Sequence, residues 1–301
     1  MVTVKCNELN LGQICDSGQC FRMRRLSAED ETGLYEIIAT DRRLTARQLD
    51  DGVELECDEM EYERFWRSYF DIESGTDYAA IIASVDPTDE YLTGVARAGS
   101  GIRILRQDLW EMIVTFLISQ QNNIPRIHKC IDNICREYGE FIAIDASGQR
   151  ASGQRASGQR ISGKMESEEI DGYYTFPTPE ELAGLEEDAL MPCNLGYRSK
   201  YVVRAARSVV EGTLDLDAIR RMDHESARTE LLTVFGIGAK VAECICLFAL
   251  HHLDSFPIDT HIRQVLEREY GTAYDKDFPF DRYHDHLGVI QQYMFYGELK
   301  I

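Results

Sequence analysis

The sequence predicts an α+β protein, with an antiparallel β-sheet lobe over residues 1–100 followed by an all-α domain over residues 101–301. Three observations carry this. Between Met1 and about Asp58, short mixed runs such as Leu34 to Ala39 are separated by Asp16-Ser17-Gly18, Thr32-Gly33 and Asp50-Asp51-Gly52, the punctuation expected between antiparallel strands. From Tyr62 onward apolar residues recur three and four apart, as in Phe65, Tyr69 and Ile72 and again in Leu109, Ile113, Phe116 and Leu117, which is helical spacing. A chain of 301 residues, 44% hydrophobic and 28% charged, can bury a large core divided between two lobes.

One segment breaks the pattern. Ala146 to Arg160 is Ala-Ser-Gly-Gln-Arg written three times, followed by Ile161-Ser162-Gly163-Lys164. Such a repeat has too little apolar surface to offset its chain entropy, so a flexible loop is expected at about residues 146–168, a tolerated insertion between helices.

No apolar run reaches the length of a membrane helix, and Met1 to Gln13 lacks the apolar stretch of a secretory signal. The nine cysteines form an odd set without a Cys-x-x-Cys pair, which is read as reduced thiols in an intracellular protein.

The net charge of −20 argues against a polyanionic partner, but the charge is unevenly spread. Residues 1–100 hold 10 basic and 21 acidic side chains. Three windows contain no Asp or Glu: residues 112–131 with Arg126 and Lys129, residues 189–210 with Arg198, Lys200, Arg204 and Arg207, and residues 231–242 with Lys240. Acid-free stretches in an acidic chain suggest local anion sites, and the chemistry-bearing motifs fall within them.

The strongest motif is Leu231-Leu232-Thr233-Val234-Phe235-Gly236-Ile237-Gly238-Ala239-Lys240-Val241-Ala242. It reads as a helix-hairpin-helix in which Gly236 and Gly238 permit a tight turn with positive φ, and the second helix opens with free N–H groups facing a phosphate. Such a contact grips a nucleic-acid backbone without reading its sequence. Lys240 lies near the start of a helix whose other residues are nearly all apolar. Desolvation and the positive helix end both disfavour its ammonium form, making a neutral nucleophilic amine accessible. Nineteen residues on, Phe256-Pro257-Ile258-Asp259-Thr260-His261 places Asp259 directly before another helical pattern. Asp259 suits a helix cap, and equally a carboxylate facing a carbon that becomes cationic.

Val234 to Leu250 followed by Phe256 to Arg263 resembles the helix-hairpin-helix-GPD superfamily of DNA glycosylases, and within it the 8-oxoguanine DNA glycosylases. The resemblance extends to Ser17-Gly18-Gln19-Cys20-Phe21-Arg22, Arg103 to Asp108, Ser119 to Ile127, Leu195-Gly196-Tyr197-Arg198 and a last helix with Gln291 and Phe295. It implies removal of oxidised guanine from double-stranded DNA, with Lys240 as nucleophile, Asp259 as its carboxylate partner, and strand nicking by β-elimination as a second activity. It also implies that the damaged nucleotide is flipped out of the duplex. Gln121, Asn122 and Tyr197 would then lie near the gap, and Arg126 and Arg198 would hydrogen-bond the orphaned cytosine. Gly18 would offer its carbonyl to the N7 proton of the oxidised base. Gln291 would read the base edge, Phe295 would stack on it, Cys244 would pack beside it, and His261 would support the DNA backbone or Asp259.

Gln121 and Met23 depart from the pattern, which often has Asn and Trp at these places. No four-cysteine cluster follows Cys246, which argues against the iron-sulfur branches. No cofactor and no catalytic metal are expected, and Tyr283-His284-Asp285-His286 reads as a solvated helix end; a structural cation at the hairpin turn is the one ion allowed for. Two alternatives are an alkylated-base glycosylase and a non-catalytic damage-binding module, and the Lys240–Asp259 pair disfavours both. A monomer suffices for one damaged site. The expected location is the cytoplasm and nucleoid of a bacterium or the nucleus of a eukaryote.

Overall fold

The computed structural model describes residues 1–26, 33–73, 75–144 and 171–300. The repeat and the loop expected at 146–168 lie outside the described residues.

Five strands form one antiparallel sheet: β1 (Val2–Lys5), β2 (Met23–Arg25), β3 (Leu34–Ala39), β4 (Arg42–Leu49) and β5 (Gly52–Leu55), in the order β1-β5-β4-β3-β2. Register follows from which residues shed water: Ile37 pairs with Leu44 and Tyr35 with Ala46, and all four side chains are buried. Gly52 is required at the β4–β5 turn, since a Cβ there would stand 2.0 Å from the Val4 carbonyl oxygen. A short helix, α1 (Leu11–Asp16), interrupts the region expected to be purely strands; Asn10 caps it by accepting from the Gln13 N–H. Its Leu11 and Ile14 join Val53, Leu55, Trp66 and Phe70 in the core under the sheet.

The helical part begins earlier in the chain than residue 101. Helices α2 (Tyr78–Ser84) and α3 (Glu90–Ala98) bury Tyr78, Ile81, Leu92 and Val95 in the helical core rather than under the sheet. Then come α4 (Leu109–Ser119), α5 (Ile124–Tyr138), α6 (Ser199–Val210), α7 (His224–Leu231), α8 (Ala239–Phe248), α9 (Thr260–Tyr270) and α10 (Leu287–Lys300). Ten of the eleven residues of α4 are buried, because neighbours cover every face of this largely apolar helix. The helical part is not purely α: β6 (Phe141–Ala143) and β7 (Gly172–Tyr174) pair as a two-stranded antiparallel ribbon.

Buried polar groups join the two cores. Asp71, fully buried, accepts from the Tyr78 hydroxyl at 2.9 Å and lies 3.0 Å from both Arg106 Nε and His251 Nε2. Gln19, also fully buried, donates to the Arg103 carbonyl at 3.0 Å and accepts from the Leu105 N–H at 2.9 Å, while Gln107 donates to the Gln19 carbonyl at 2.8 Å. Two of the motifs singled out in the sequence, 17–22 and 103–108, are therefore partners of each other. Each bond satisfies a group that would otherwise be buried unpaired, and the result is a fixed position for the loop carrying Gly18.

Candidate active site

A cavity of ≈ 380 Å³ brings together Gly18, Asn122, Lys240, Cys244, Asp259, His261, Gln291 and Phe295, residues drawn from five separate stretches of chain. A larger cavity of ≈ 1190 Å³ shares Gly18, Phe21, Ile124 and Leu299 with it but contains neither Lys240 nor Asp259. Size alone does not locate the chemistry; the smaller cavity is the one that holds the expected lysine and aspartate.

Lys240 is half-buried in the first turn of α8. Its ammonium nitrogen stands 5.4 Å from the centre of the Phe116 ring, and that ring stacks on Phe248 with centroids 5.5 Å apart. The apolar stem and cationic head thus meet an aromatic floor. Cys244, one turn along, is buried; burial pushes its thiol up, with the Lys240 charge pulling in the other direction.

Asp259 caps α9, accepting the Ile262 N–H at 2.8 Å through Oδ1. The cap and the cavity carboxylate are one side chain: the bond that satisfies the helix end also fixes the carboxylate, and a second oxygen remains for the cavity. His261 does not supply the bond that holds Asp259; it stands exposed at the cavity rim.

Glu243 holds α8 against the segment that carries Asp259. It accepts from Arg228 Nε at 2.7 Å, from the Phe256 N–H at 3.3 Å and from His224 Nε2 at 3.0 Å. His224 Nδ1 lies 2.9 Å from Asp254. With a carboxylate at each ring nitrogen, the imidazolium is favoured, and its hydrogen bond to Glu243 raises the His224 pKa. The Glu243 carboxyl is lowered: burial acts upward, and the bonds and charges of His224 and Arg228 outweigh it.

At the other wall, Gly18 has φ +72° and its α-carbon faces the Phe295 ring. Gln291 is buried on α10 and donates to the Pro257 carbonyl at 3.3 Å. Phe295 is one helical turn away on the same face.

The hairpin joins α7 to α8, and its two glycines differ. Gly236 has φ +97° and packs on Tyr201, where a Cβ would lie 2.7 Å from the ring. Gly238 was expected to share the positive φ but is extended, with φ −98° and ψ 175°, as the residue before α8. Open space surrounds its missing Cβ, so it serves by leaving the α8 N-terminus uncovered rather than by turning the chain.

The expected cytosine contacts also divide. Arg126 is exposed, with one long bond of 3.4 Å to the Asn194 carbonyl. Arg198 is 4% exposed, and its guanidinium donates to the Leu195 carbonyl at 3.2 Å, to the Gln121 carbonyl at 2.8 Å, and to the Gln120 carbonyl through both Nε and Nη2. In this state Arg198 braces the 120–121 turn and is not presented to a base. Gln121, exposed at φ +48°, is held in that left-handed turn. Asn122 lines the cavity, and Tyr197 is exposed against Tyr201.

Sequence reasoning missed Gln292, Phe116 and Phe248, all on the cavity wall. Gln292 sits beside Gln291, so adjacency was an available signal; the two rings read simply as core. Among the described residues, no group of three or more His, Cys, Asp or Glu side chains gathers to hold a metal ion. All nine cysteines are free thiols. No helix among the described residues is long and apolar enough to cross a membrane.

Residues 1–113 match the 8-oxoguanine DNA glycosylase N-terminal domain, and residues 114–277 match the HhH-GPD superfamily base excision DNA repair protein model. The N-glycosylase/DNA lyase of Saccharomyces cerevisiae is 32% identical over 59% of this chain and 44% of its own length, and that of Arabidopsis thaliana is 30% identical over 57% and 41%. The chain thus spans less than half the length of these two relatives. An 8-oxoguanine glycosylase/lyase from Clostridium acetobutylicum, solved with double-stranded DNA containing cytosine opposite 8-oxoguanine, is 29% identical with a TM-score of 0.81, covering 100% of this chain and 99% of that one.

Proposed function

The chain belongs to the HhH-GPD superfamily of base excision DNA repair proteins, and on that footing we propose that it is a bifunctional DNA glycosylase and AP lyase that removes 8-oxoguanine from duplex DNA. The observation that carries this is the convergence of Lys240 and Asp259 on one cavity with Gly18, Gln291 and Phe295.

A flipped nucleotide would lay its base on the Phe295 ring, with the Gly18 carbonyl at its edge and its sugar toward Lys240. The Lys240 amine nitrogen attacks C1′ as the bond from C1′ to the base nitrogen breaks, and the electron pair leaves with the base. Asp259 stabilises the positive charge that develops on the sugar. Opening of the sugar ring leaves an iminium on Lys240; loss of a C2′ proton then expels the 3′ phosphate, which nicks the strand. The Gly18 carbonyl distinguishes the oxidised base by accepting its N7 proton, which guanine lacks.

The hairpin supplies the backbone contact through the uncovered start of α8. Arg126 is the cation ready for the orphaned cytosine, whereas Arg198 reaches it after exchanging carbonyl partners. A cation at the hairpin turn would be held by backbone carbonyls and has no part in these steps. The protein works as a monomer wherever the genome is, in a bacterial cytoplasm and nucleoid or a eukaryotic nucleus.

Borohydride trapping on a duplex with 8-oxoguanine opposite cytosine tests this. The natural protein should form a covalent adduct and Lys240→Gln should not. Tight binding by the natural protein with neither adduct nor released base would overturn the proposal.

A further inference from the structure

Next to the base-reading Gln291 stands a second buried amide with no assigned role. Gln292 is 3% exposed, lines the same cavity, and donates through Nε2 to Gln291 Oε1 at 3.2 Å. Its own Oε1 is buried without a hydrogen-bond partner. A buried orphan acceptor is uncommon enough to require an explanation.

The explanation starts at Pro257. A carbonyl oxygen only accepts, so the amide facing it must present its nitrogen, as Gln291 Nε2 does at 3.3 Å. That turns Gln291 Oε1 toward Gln292, which must then donate, and the Gln292 oxygen is left over. The Gln291 amide is thus held by two bonds of one sense, its nitrogen donating to the Pro257 carbonyl, two residues before Asp259, and its oxygen accepting from Gln292. Reversing either amide would bring two acceptors face to face.

We propose that Gln292 is a specificity-determining positioning residue: by donating to Gln291 Oε1, it holds the Gln291 amide in one of its two senses, so that the cavity accepts the base edge of an oxidised guanine and refuses the inverted edge of an oxidised adenine. This rests on the glycosylase reading above. An amide so held keeps one lone pair on oxygen and one N–H on nitrogen for a ligand. Those two groups match a carbonyl beside a ring N–H, the guanine-type pattern. The adenine-type pattern, an amino group beside a bare ring nitrogen, needs the amide reversed. An amide free to turn over serves both edges, whereas a held one leaves groups unpaired against the wrong base, which is where strong discrimination originates.

The test is single-turnover base release from duplexes carrying 8-oxoguanine or 8-oxoadenine opposite the same partner, with the natural protein and with Gln292→Met, an unbranched chain of similar length. Cleavage of a preformed abasic site by the same preparations, which involves no base, reports whether the Lys240 centre is intact. Gln292→Leu is read the same way if the methionine protein fails that check. The expected result is a preference of the natural protein for 8-oxoguanine that falls at least tenfold in the variant. An unchanged preference overturns the inference, whether both rates fall together or neither does. Release of neither base by the natural protein overturns the glycosylase reading and this inference with it.

Discussion

A methyl group on Gly18 would stand 2.9 Å from Cε1 of Phe295, so the loop after α1 and the last helix meet across the cavity with no room for a side chain. Gly18→Ala must move the ring and also hold an L-residue at φ +72°, a conformation costing ~1–2 kcal/mol. Base release should fall more than tenfold, while cleavage of a preformed abasic site, which needs no base pocket, falls less. Equal losses in the two assays would show that Gly18 matters only for folding.

Asp259 caps a helix and faces the cavity, and two substitutions separate these roles. Asparagine caps as well as aspartate, so Asp259→Asn should keep stability to within about 0.5 kcal/mol yet slow base release on the order of 100-fold, the scale of losing one preorganised electrostatic group. Asp259→Ala should lose a further ~1 kcal/mol of stability with the cap. Chemical denaturation and single-turnover rates measure the two effects independently.

Arg198 and Arg126 should respond oppositely. The Arg198 guanidinium is buried among backbone carbonyls, and lysine cannot reproduce its fork. Arg198→Lys should destabilise by about 2 kcal/mol. The exposed Arg126→Ala should leave the denaturation midpoint nearly unchanged and weaken binding to duplex. A stable Arg198→Lys protein would contradict the bracing role.

The His224 clamp predicts a pH dependence. Because its folded pKa is raised, His224 contributes stability that is fully present below about pH 6.5 and is lost as pH rises through the folded value. Glu243, lowered, contributes above its unfolded value and loses that contribution as pH falls through its folded one. The neighbouring His252 is lowered, chiefly by burial, so it opposes His224 by losing stability on acidification below about pH 6.5. Subtracting the melting curves of His224→Gln from those of the natural protein isolates the clamp: the difference should shrink between pH 6.5 and 8. A difference that grows over that range would reverse the assignment.

Sequence alone marked out the sheet, the hairpin, and Lys240 and Asp259 as candidates, because each is written locally, whereas Gln291 and Phe295 stood out only through the resemblance to the 8-oxoguanine DNA glycosylases. Short mixed runs between turn residues, a Gly-x-Gly turn and a cap before an apolar run all need only near neighbours. Tertiary structure decided the rest. Helix α3 carries an ordinary amphipathic pattern, and its packing against α10 puts it, with α2 beside it, in the helical core. Arg198 is a cation in an acid-free window by sequence, yet the carbonyls of Gln120 and Gln121, more than seventy residues away, convert it into a brace. The sense of the Gln291 amide depends on Pro257, 34 residues earlier in the chain. A side chain's chemical type belongs to the sequence; which of its donors and acceptors remain available to a ligand depends on partners that only folding brings within hydrogen-bond distance.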